Sequence, residues 1–307
     1  MPGDLPPPSQ PPSPSTVVVI GSGAIGGYFG FALERAGHQV VLCAHRPFGQ
    51  LTVETEGKLM TVGAPVITDP GECPTADWVV LATKGHQTAG AAPWLAAACG
   101  ASTSAILVLQ NGIEHRERVS GLTGGVPVVP AVVSCGAELV EPGRVRHHGY
   151  SALTVADTDL GRAAAALFAG GPATATPSSD FERNLWLKLV QNVTGGPLTA
   201  ITGRRLEVMA QPEIAGLAVE LAVEAAEVAR ACGVALSDEV ATAVVDGFRS
   251  VASTMGTSML YDRMAGRPLE CEELTGAVVR LGARHGVPTP CNRWMLTLLR
   301  NLESQPD

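Results

Sequence analysis

The residues TVVVIGSGAIGGYFGFALERAGHQVVLCAHR, positions 16–46, contain the most informative pattern of the chain. A short β-branched run is followed at once by the spacing Gly21-x-Gly23-x-x-Gly26, then by a helical pattern and a second apolar run at 39–43. In this strand–turn–helix context the three glycines predict a dinucleotide-binding loop. The first glycine allows the tight turn, the second lets the backbone approach a pyrophosphate, and the third lets helix and strand pack closely.

The same segment also indicates which dinucleotide binds. Amides at the start of a helix face an anion, so the predicted cofactor contacts include Gly21, Ser22, Gly23, Ala24, Ile25 and Gly26. An NAD site usually carries an acid about 20 residues further on, but here the second strand is followed by Ala44, His45 and Arg46. Arg46 can face a 2′-phosphate, which favours NADP; the alternative is a solvated surface arginine.

The rest of the chain divides into two kinds of pattern. Continuous apolar runs, typical of strands buried on both faces of a parallel sheet, occur at 16–20, 39–43, 78–82 and 105–109. Three later runs predict additional strands, for which antiparallel pairing is an alternative to parallel pairing: 126–134, 143–148 and 151–157. Beyond residue 180 only helical periodicity remains, as in 211–233. We therefore predict a Rossmann-type α/β domain over 16–178 and an all-α domain for substrate binding and dimerisation over 179–307.

Composition excludes several classes of function. The net charge of -8 gives no basic surface for nucleic acid, and no apolar run is long enough to span a bilayer. The seven cysteines are widely spaced, which favours a reduced, cytoplasmic protein without a structural metal. Residues 1–15 are rich in proline and serine and do not resemble a signal peptide; a disordered tail is expected there.

Lysine is rare in this chain. Of 21 basic residues only Lys58, Lys84 and Lys188 are lysines. Arginine cannot release a proton near neutral pH, whereas a buried lysine can, so a lysine retained here suggests a chemical role; chance is the alternative. Lys84 directly follows one predicted strand and Asn111 follows another. Ligands bind beyond the carboxyl ends of such strands, so both are expected to open onto the cofactor cleft, unless Asn111 merely shapes an Asn-Gly turn.

Motifs from both predicted domains resemble one family. VVVIGSGAIGGYFG, ATK, LQNGIEH, NLWLKLVQN, PLTAITG, SML-x-D and a downstream Glu-x-x-x-x-x-Gly occur in the order and spacing of the ketopantoate reductases, over residues 16 to about 300. The resemblance implies an NADPH-dependent reduction of ketopantoate, a 2-oxo acid, to pantoate, a precursor of pantothenate and coenzyme A. It also implies a Rossmann domain followed by a helical one.

The resemblance further implies roles for individual residues. Lys188 matches the catalytic lysine, which stabilises the negative charge on the carbonyl oxygen and protonates it, and Glu270 matches an acid that orients Lys188 or the substrate. The implied substrate contacts are Asn111, Asn192 and Ser258. The implied cofactor contacts outside the glycine loop are Arg46, Lys84, Asn111 and Glu270. For Glu270, a carboxylate at a helix N-terminus is the simpler interpretation from sequence alone.

Two family asparagines that hold the distal hydroxyl of ketopantoate are missing. Gly196 stands at the first position and leaves room there, and Arg204, Arg205 and Leu206 lie where the second is expected. A paralogue that reduces another 2-oxo acid therefore stays an alternative, as does a regulator that binds NADPH without turnover. An opine- or 6-phosphogluconate-type dehydrogenase shares the architecture, but the SML-x-D and PLTAI segments speak against it.

Overall fold

The computed structural model describes residues 13–250 and 255–303. Residues 1–12 of the predicted tail therefore lie outside the described residues. By their internal contacts the residues form two compact units. Unit 1 comprises residues up to Thr83, Ala89–Gln110 and Val119–Ser179, and unit 2 comprises Lys84–Thr88, Asn111–Arg118 and the chain from Asp180 onward.

The strands all belong to unit 1. They are β1 (Thr16–Ile20), β2 (Gln39–Cys43), β3 (Thr52–Thr55), β4 (Lys58–Thr61), β5 (Val66–Ile67), β6 (Trp78–Leu81), β7 (Ala105–Val108), β8 (Val128–Glu141), β9 (Arg144–Ala156) and β10 (Thr174–Ser178). The helices are α1 (Ala24–Arg35), α2 (Ala92–Ala98), α3 (His115–Ser120), α4 (Asp159–Ala166), α5 (Phe181–Thr202), α6 (Pro212–Ala231), α7 (Val240–Ser250), α8 (Ser258–Met264), α9 (Thr275–His285) and α10 (Pro290–Glu303).

Unit 1 is built on one mostly parallel sheet, as the sequence predicted. Its strand order is β4-β3-β9-β8-β7-β6-β1-β2-β5, with β10 paired to β9. Strands β5, β2, β1, β6, β7 and β8 run parallel to their neighbours along this path, and the reversals are the β8–β9 and β3–β4 pairs. The antiparallel arrangement considered for the later runs is thus correct for β8 and β9, while the two predicted runs 143–148 and 151–157 form a single strand.

The apolar runs are continuous because both faces of the central strands are covered. Along β1, Val17 and Val19 pack into one apolar cluster, whereas Val18 and Ile20 pack into a second cluster. Neighbouring side chains of a strand point to opposite faces, so a strand buried on both sides cannot show a polar alternation.

The helices from α5 onward belong to unit 2, and no strand is described beyond Ser178. Their shared core contains Leu189 and Val193 of α5 together with Ala222 and Ala225 of α6. The grouping differs from the predicted division at residue 178 in two short segments: 84–88 and 111–118 fall within the range predicted for the first domain, yet they make their contacts with the helical unit.

Candidate active site

The predicted dinucleotide loop joins β1 to α1 in unit 1. Gly21 has φ of 98°, and a Cβ on it would lie 2.7 Å from the Thr83 amide nitrogen. A Cβ on Gly26 would lie 1.8 Å from the Gly21 carbonyl oxygen. Both positions therefore require glycine for the turn and for close packing of helix on strand.

Gly23 differs from its two companions. A Cβ on Gly23 would meet nothing within 4 Å, so packing within the protein does not demand glycine there. Gly23 is the N-cap of α1, no side chain caps the helix start, and the first turn holds no acid. Uncapped amides at a helix N-terminus attract an anion. The loop therefore fits the pyrophosphate of a dinucleotide, with Gly23 on the side that such a ligand approaches.

Arg46 lies just past β2, at the same edge of the sheet as this loop. The two are linked because the Gly21 amide donates to the Cys43 carbonyl at 3.1 Å. Arg46 is exposed, and within the described part of the chain its guanidinium has no ion pair. A cation free in this position can receive a 2′-phosphate.

The second cluster of predicted residues lies in unit 2 and centres on Lys84. Its ammonium contacts two carboxylates, Asp262 at 2.8 Å and Glu270 at 3.1 Å. Both acids are buried, with 4% of each residue exposed. Burial lowers the pKa of Lys84, but Glu270 and then Asp262 raise it by more, so the net pKa is raised. Lys84 is therefore a fixed positive charge at neutral pH.

The Glu270 carboxylate is hydrogen-bonded on both oxygens. Oε1 accepts from the Gly85 amide at 3.1 Å, and Oε2 accepts from Asn111 Nδ2 at 3.1 Å as well as from Lys84. Burial alone would raise the pKa of Glu270, but the lysine and these two donors lower it below its ordinary value. The carboxylate is thus ionised, and it fixes the orientation of the Asn111 amide.

Helix α5 carries two further predicted residues, Asn192, which joins this cluster, and Lys188. Asn192 Nδ2 donates a long hydrogen bond of 3.5 Å to Asn111 Oδ1. Lys188 lies one turn earlier on the same helical face. It is half-buried, and no described residue gives it a hydrogen bond or an ion pair. Burial without a compensating anion lowers the pKa of Lys188.

Two family models match the chain in succession. The model described as ketopantoate reductase PanE/ApbA matches residues 17–159, and the model described as ketopantoate reductase PanE/ApbA C terminal matches residues 180–303. The chain belongs to the ketopantoate reductase family. It is therefore an oxidoreductase, and the family together with the glycine loop supports a nicotinamide cofactor.

Individual relatives agree with this assignment along almost the whole chain. A 2-dehydropantoate 2-reductase of Mycobacterium tuberculosis is 36% identical over 292 residues, covering 94% of this chain and 98% of the relative. A PanE/ApbA family ketopantoate reductase from Ralstonia eutropha is 34% identical with a TM-score of 0.84, covering 94% and 98%. The dimeric ketopantoate reductase of Staphylococcus aureus has a TM-score of 0.85 at 24% identity and covers 94% and 98%; it shows likeness of fold alone.

The structure brings together four of the residues singled out from this family's motifs: Lys84, Asn111, Asn192 and Glu270. Glu270 pairs with Lys84 and not with Lys188, so of the two roles considered for Glu270 only the orientation of the substrate stays a prediction. Ser258 is the first residue of α8, is exposed, and among the described residues is hydrogen-bonded to none of the four.

The sequence patterns did not predict the second acid on Lys84. Asp262 belongs to the SML-x-D motif that indicates the family, but no role for Asp262 follows from that motif alone. The signal was an acid four residues after Ser258, beside the apolar pair Met259 and Leu260. An aspartate that close to buried side chains needs a cation or several donors.

The side chain of Met259 borders the space at Gly196. A Cβ on Gly196 would be 3.5 Å from the Met259 Cε atom, an ordinary van der Waals contact, and Met259 is buried. The position of the missing family asparagine is therefore lined by a thioether side chain. Leu206, where the second asparagine was expected, is buried in an apolar cluster. Arg204 and Arg205 are exposed; Arg204 pairs with Glu207, and Arg205 lies over the Tyr261 ring.

Across residues 13–250 and 255–303, no group of three histidine, cysteine or acidic side chains is arranged to hold a metal ion. The same described ranges contain no helix both long and apolar enough to cross a membrane. All seven cysteines are free thiols.

Proposed function

We propose that this protein reduces ketopantoate to pantoate with NADPH. The observation that carries the proposal is the state of Lys188, an amino group that burial desolvates, that no described residue pairs, and that lies one turn from Asn192. A lysine in this environment suits proton transfer rather than structural pairing. The names of the curated relatives supply the substrate.

Lys188 has two tasks in the proposed reaction. NADPH, when bound, supplies a hydride to the 2-oxo carbon of the substrate. As the carbonyl π bond breaks, the oxygen gains negative charge, which the Lys188 ammonium stabilises; the ammonium then gives that oxygen a proton, forming the hydroxyl group. A lowered pKa makes the ammonium a stronger acid and brings it closer to the working pH.

The Lys84–Glu270 pair supports this chemistry without exchanging protons. The raised pKa of Lys84 and the lowered pKa of Glu270 keep both groups charged. Glu270 occupies Nδ2 of Asn111, so the amide oxygen of Asn111 is directed to Asn192. We propose that these two amides hold the substrate beside Lys188 and that Ser258, at the start of α8, binds its carboxylate.

NADP rather than NAD is the cofactor we propose. The support is Arg46, which is exposed and carries no ion pair among the described residues, together with the lack of an acid at the end of β2. Arginine binds phosphate through several parallel hydrogen bonds, whereas an NAD site would hold the ribose hydroxyl with a carboxylate.

A different 2-oxo acid is the second candidate substrate. Met259 beside Gly196 and the buried Leu206 favour it, because apolar side chains replace the amides expected to bind the distal hydroxyl. A substrate with an apolar branched side chain needs no such amide.

The S. aureus relative is described as dimeric, and a homodimer is the assembly we propose.

The test is NADPH oxidation, followed by its absorbance, with ketopantoate and with a panel of branched and unbranched 2-oxo acids. NADH is run beside NADPH, and products are identified by mass. Turnover of ketopantoate with the highest kcat/KM in the panel supports the proposal. A higher kcat/KM for an unhydroxylated branched acid moves the substrate to the second candidate. Tight NADPH binding with no turnover of any acid leaves a non-catalytic regulator.

A further inference from the structure

Lys84 is held by a second buried acid, Asp262, more closely than by Glu270. The distance from Lys84 Nζ to Asp262 Oδ2 is 2.8 Å, against 3.1 Å to Glu270. Asp262 lies in α8, and only 6% of its side chain is exposed. Burying a carboxylate is costly unless it is paired and hydrogen-bonded, so an acid placed here needs an explanation.

The other oxygen of Asp262 faces a second cation. Arg267 Nε donates to Asp262 Oδ1 at 2.9 Å, and the Arg267 amide donates to the Asp262 carbonyl at 2.9 Å. The contacts therefore connect charges of alternating sign, in the order Glu270, Lys84, Asp262 and Arg267. Arg118 also acts on Glu270 electrostatically. The two anions and two cations joined by these contacts compensate one another.

The two carboxylates constrain the lysine side chain in different ways. With Glu270 alone, a flexible four-carbon side chain could meet one carboxylate from many directions. With Asp262 as a second partner, two N–H groups of the ammonium are committed, which restricts the positions open to Nζ. Glu270 Oε2 is shared between Lys84 and Asn111, so a displaced ammonium would change the partner of the Asn111 amide.

We propose that Asp262 is a positioning residue, which fixes the Lys84 ammonium against Glu270 and thereby sets the orientation of the Asn111 amide. The kinetic part of this inference rests on the proposed function, because Asn111 is a substrate contact there. The geometric part does not, because it concerns only groups of this chain.

The scarcity of lysine provides a direct test. The full-length protein, labelled with ¹³C-lysine, gives only three lysine side-chain signals in NMR, assigned by replacing Lys58, Lys84 and Lys188 in turn. Asp262→Asn removes one anion from Lys84, and we expect the Lys84 titration to move to lower pH by about one unit. Arg267→Met removes a competing cation from Asp262, and we expect the Lys84 titration to move to higher pH.

The proposed arrangement predicts that the Lys84 titration moves to lower pH in Asp262→Asn and to higher pH in Arg267→Met. Arg267 has 48% of its side chain exposed, so Arg267→Met tests the arrangement even where Asp262→Asn fails to fold. Asp246→Asn, at an exposed ion pair with Arg249, is the matched control and leaves the Lys84 titration unchanged. A Lys84 titration unmoved by Arg267→Met and by a folded Asp262→Asn overturns the proposal.

The kinetic arm separates positioning from a merely structural role. Since a misplacement of about 1 Å costs on the order of 100-fold, we expect Asp262→Asn to lower kcat/KM for the 2-oxo acid by roughly 10- to 100-fold, with the loss mainly in kcat. Asp262→Glu, which keeps the charge, recovers part of it. Unchanged kcat/KM in folded Asp262→Asn overturns the proposal. If the wild type turns over no 2-oxo acid, the proposed function fails, and the NMR arm alone decides the positioning role.

Discussion

Replacing Glu270 with glutamine tests the contacts of its buried carboxylate independently of any substrate. The carboxylate accepts from Lys84, Gly85 and Asn111. A glutamine offers one acceptor oxygen, so at least one of these donors loses its partner, and the new amide N–H points at another donor. Breaking a fully buried pair costs about 3–5 kcal/mol. Lys84 keeps Asp262, and 36% of its side chain is exposed, so screening reduces the expected cost to about 2 kcal/mol.

The expected result is a thermal midpoint lower by about 4–8 °C near neutral pH, measured by calorimetry. Glu138→Gln is the matched control, because Glu138 has 55% of its side chain exposed and only long ion pairs. Its thermal midpoint is expected to lie within about 1 °C of the wild-type value.

The difference in thermal midpoint between the wild type and Glu270→Gln depends on pH with a definite sign. The folded pKa of Glu270 lies below its ordinary value of 4.5. The group therefore contributes stability that is fully present above 4.5 and is lost as pH falls through the lower folded pKa. The gap between wild type and Glu270→Gln should be constant near neutral pH and close in acid. A Glu270→Gln midpoint equal to that of the wild type, or a difference that widens in acid, would show that the Glu270 carboxylate does not stabilise the fold through these contacts.

Two further substitutions test the cofactor loop and the choice of dinucleotide. Gly26→Ala places a Cβ 1.8 Å from the Gly21 carbonyl, so we expect a loss of stability of about 1–3 kcal/mol and a large loss of NADPH affinity by fluorescence titration. The control is Gly216→Ala, at an α6 glycine where a Cβ meets nothing within 4 Å, which should be neutral or stabilising. Equal NADPH affinity in both variants would contradict the loop geometry. Arg46→Ala should raise the KM for NADPH by roughly tenfold or more, as expected for a charged hydrogen bond worth about 1.5–3 kcal/mol, without changing the KM for NADH. The control is Arg35→Ala, at another exposed arginine of unit 1. An equal rise in KM for both dinucleotides in Arg46→Ala would show that Arg46 does not bind the 2′-phosphate.

Local chemistry explains which parts of the fold the sequence predicted. The strands β1, β2, β6 and β7 are short runs of β-branched and apolar residues, and the glycine spacing after β1 has a steric reason at each position that the structure confirms for Gly21 and Gly26. Strands β3 and β4 were missed because TVET and KLMT are short and partly polar. Strand β10 was missed because TATPS contains a proline, which weakens a strand signal.

The contacts of the candidate site were less accessible from sequence. Lys84 meets Asp262 across 178 residues and Glu270 across 186. Periodicity and turn chemistry describe neighbours within a few positions, so they carry no information on which acid a distant lysine selects. The same limit explains why the sequence left Lys188 and the substrate as alternative partners of Glu270. One local relation did hold: the four-residue spacing of Lys188 and Asn192 placed both on one face of α5.

The packing beside Gly196 shows a related limit. The missing asparagine was visible in the sequence, but whether its space stays open depends on Met259, which lies 63 positions further along the chain. Only the folded chain brings that thioether to 3.5 Å from a Cβ at position 196.

We propose that Lys188 supplies the proton in the 2-oxo acid reduction. This role is tested by measuring kcat for the wild type, Lys188→Ala and Lys188→Arg by NADPH oxidation with ketopantoate across the neutral to alkaline range. We predict rapid wild-type turnover, a loss of about 10²–10⁴-fold in Lys188→Ala, and little recovery in Lys188→Arg, because arginine keeps the charge but is a poor acid. Turnover by Lys188→Ala at the wild-type rate, or full recovery by Lys188→Arg, would contradict the account.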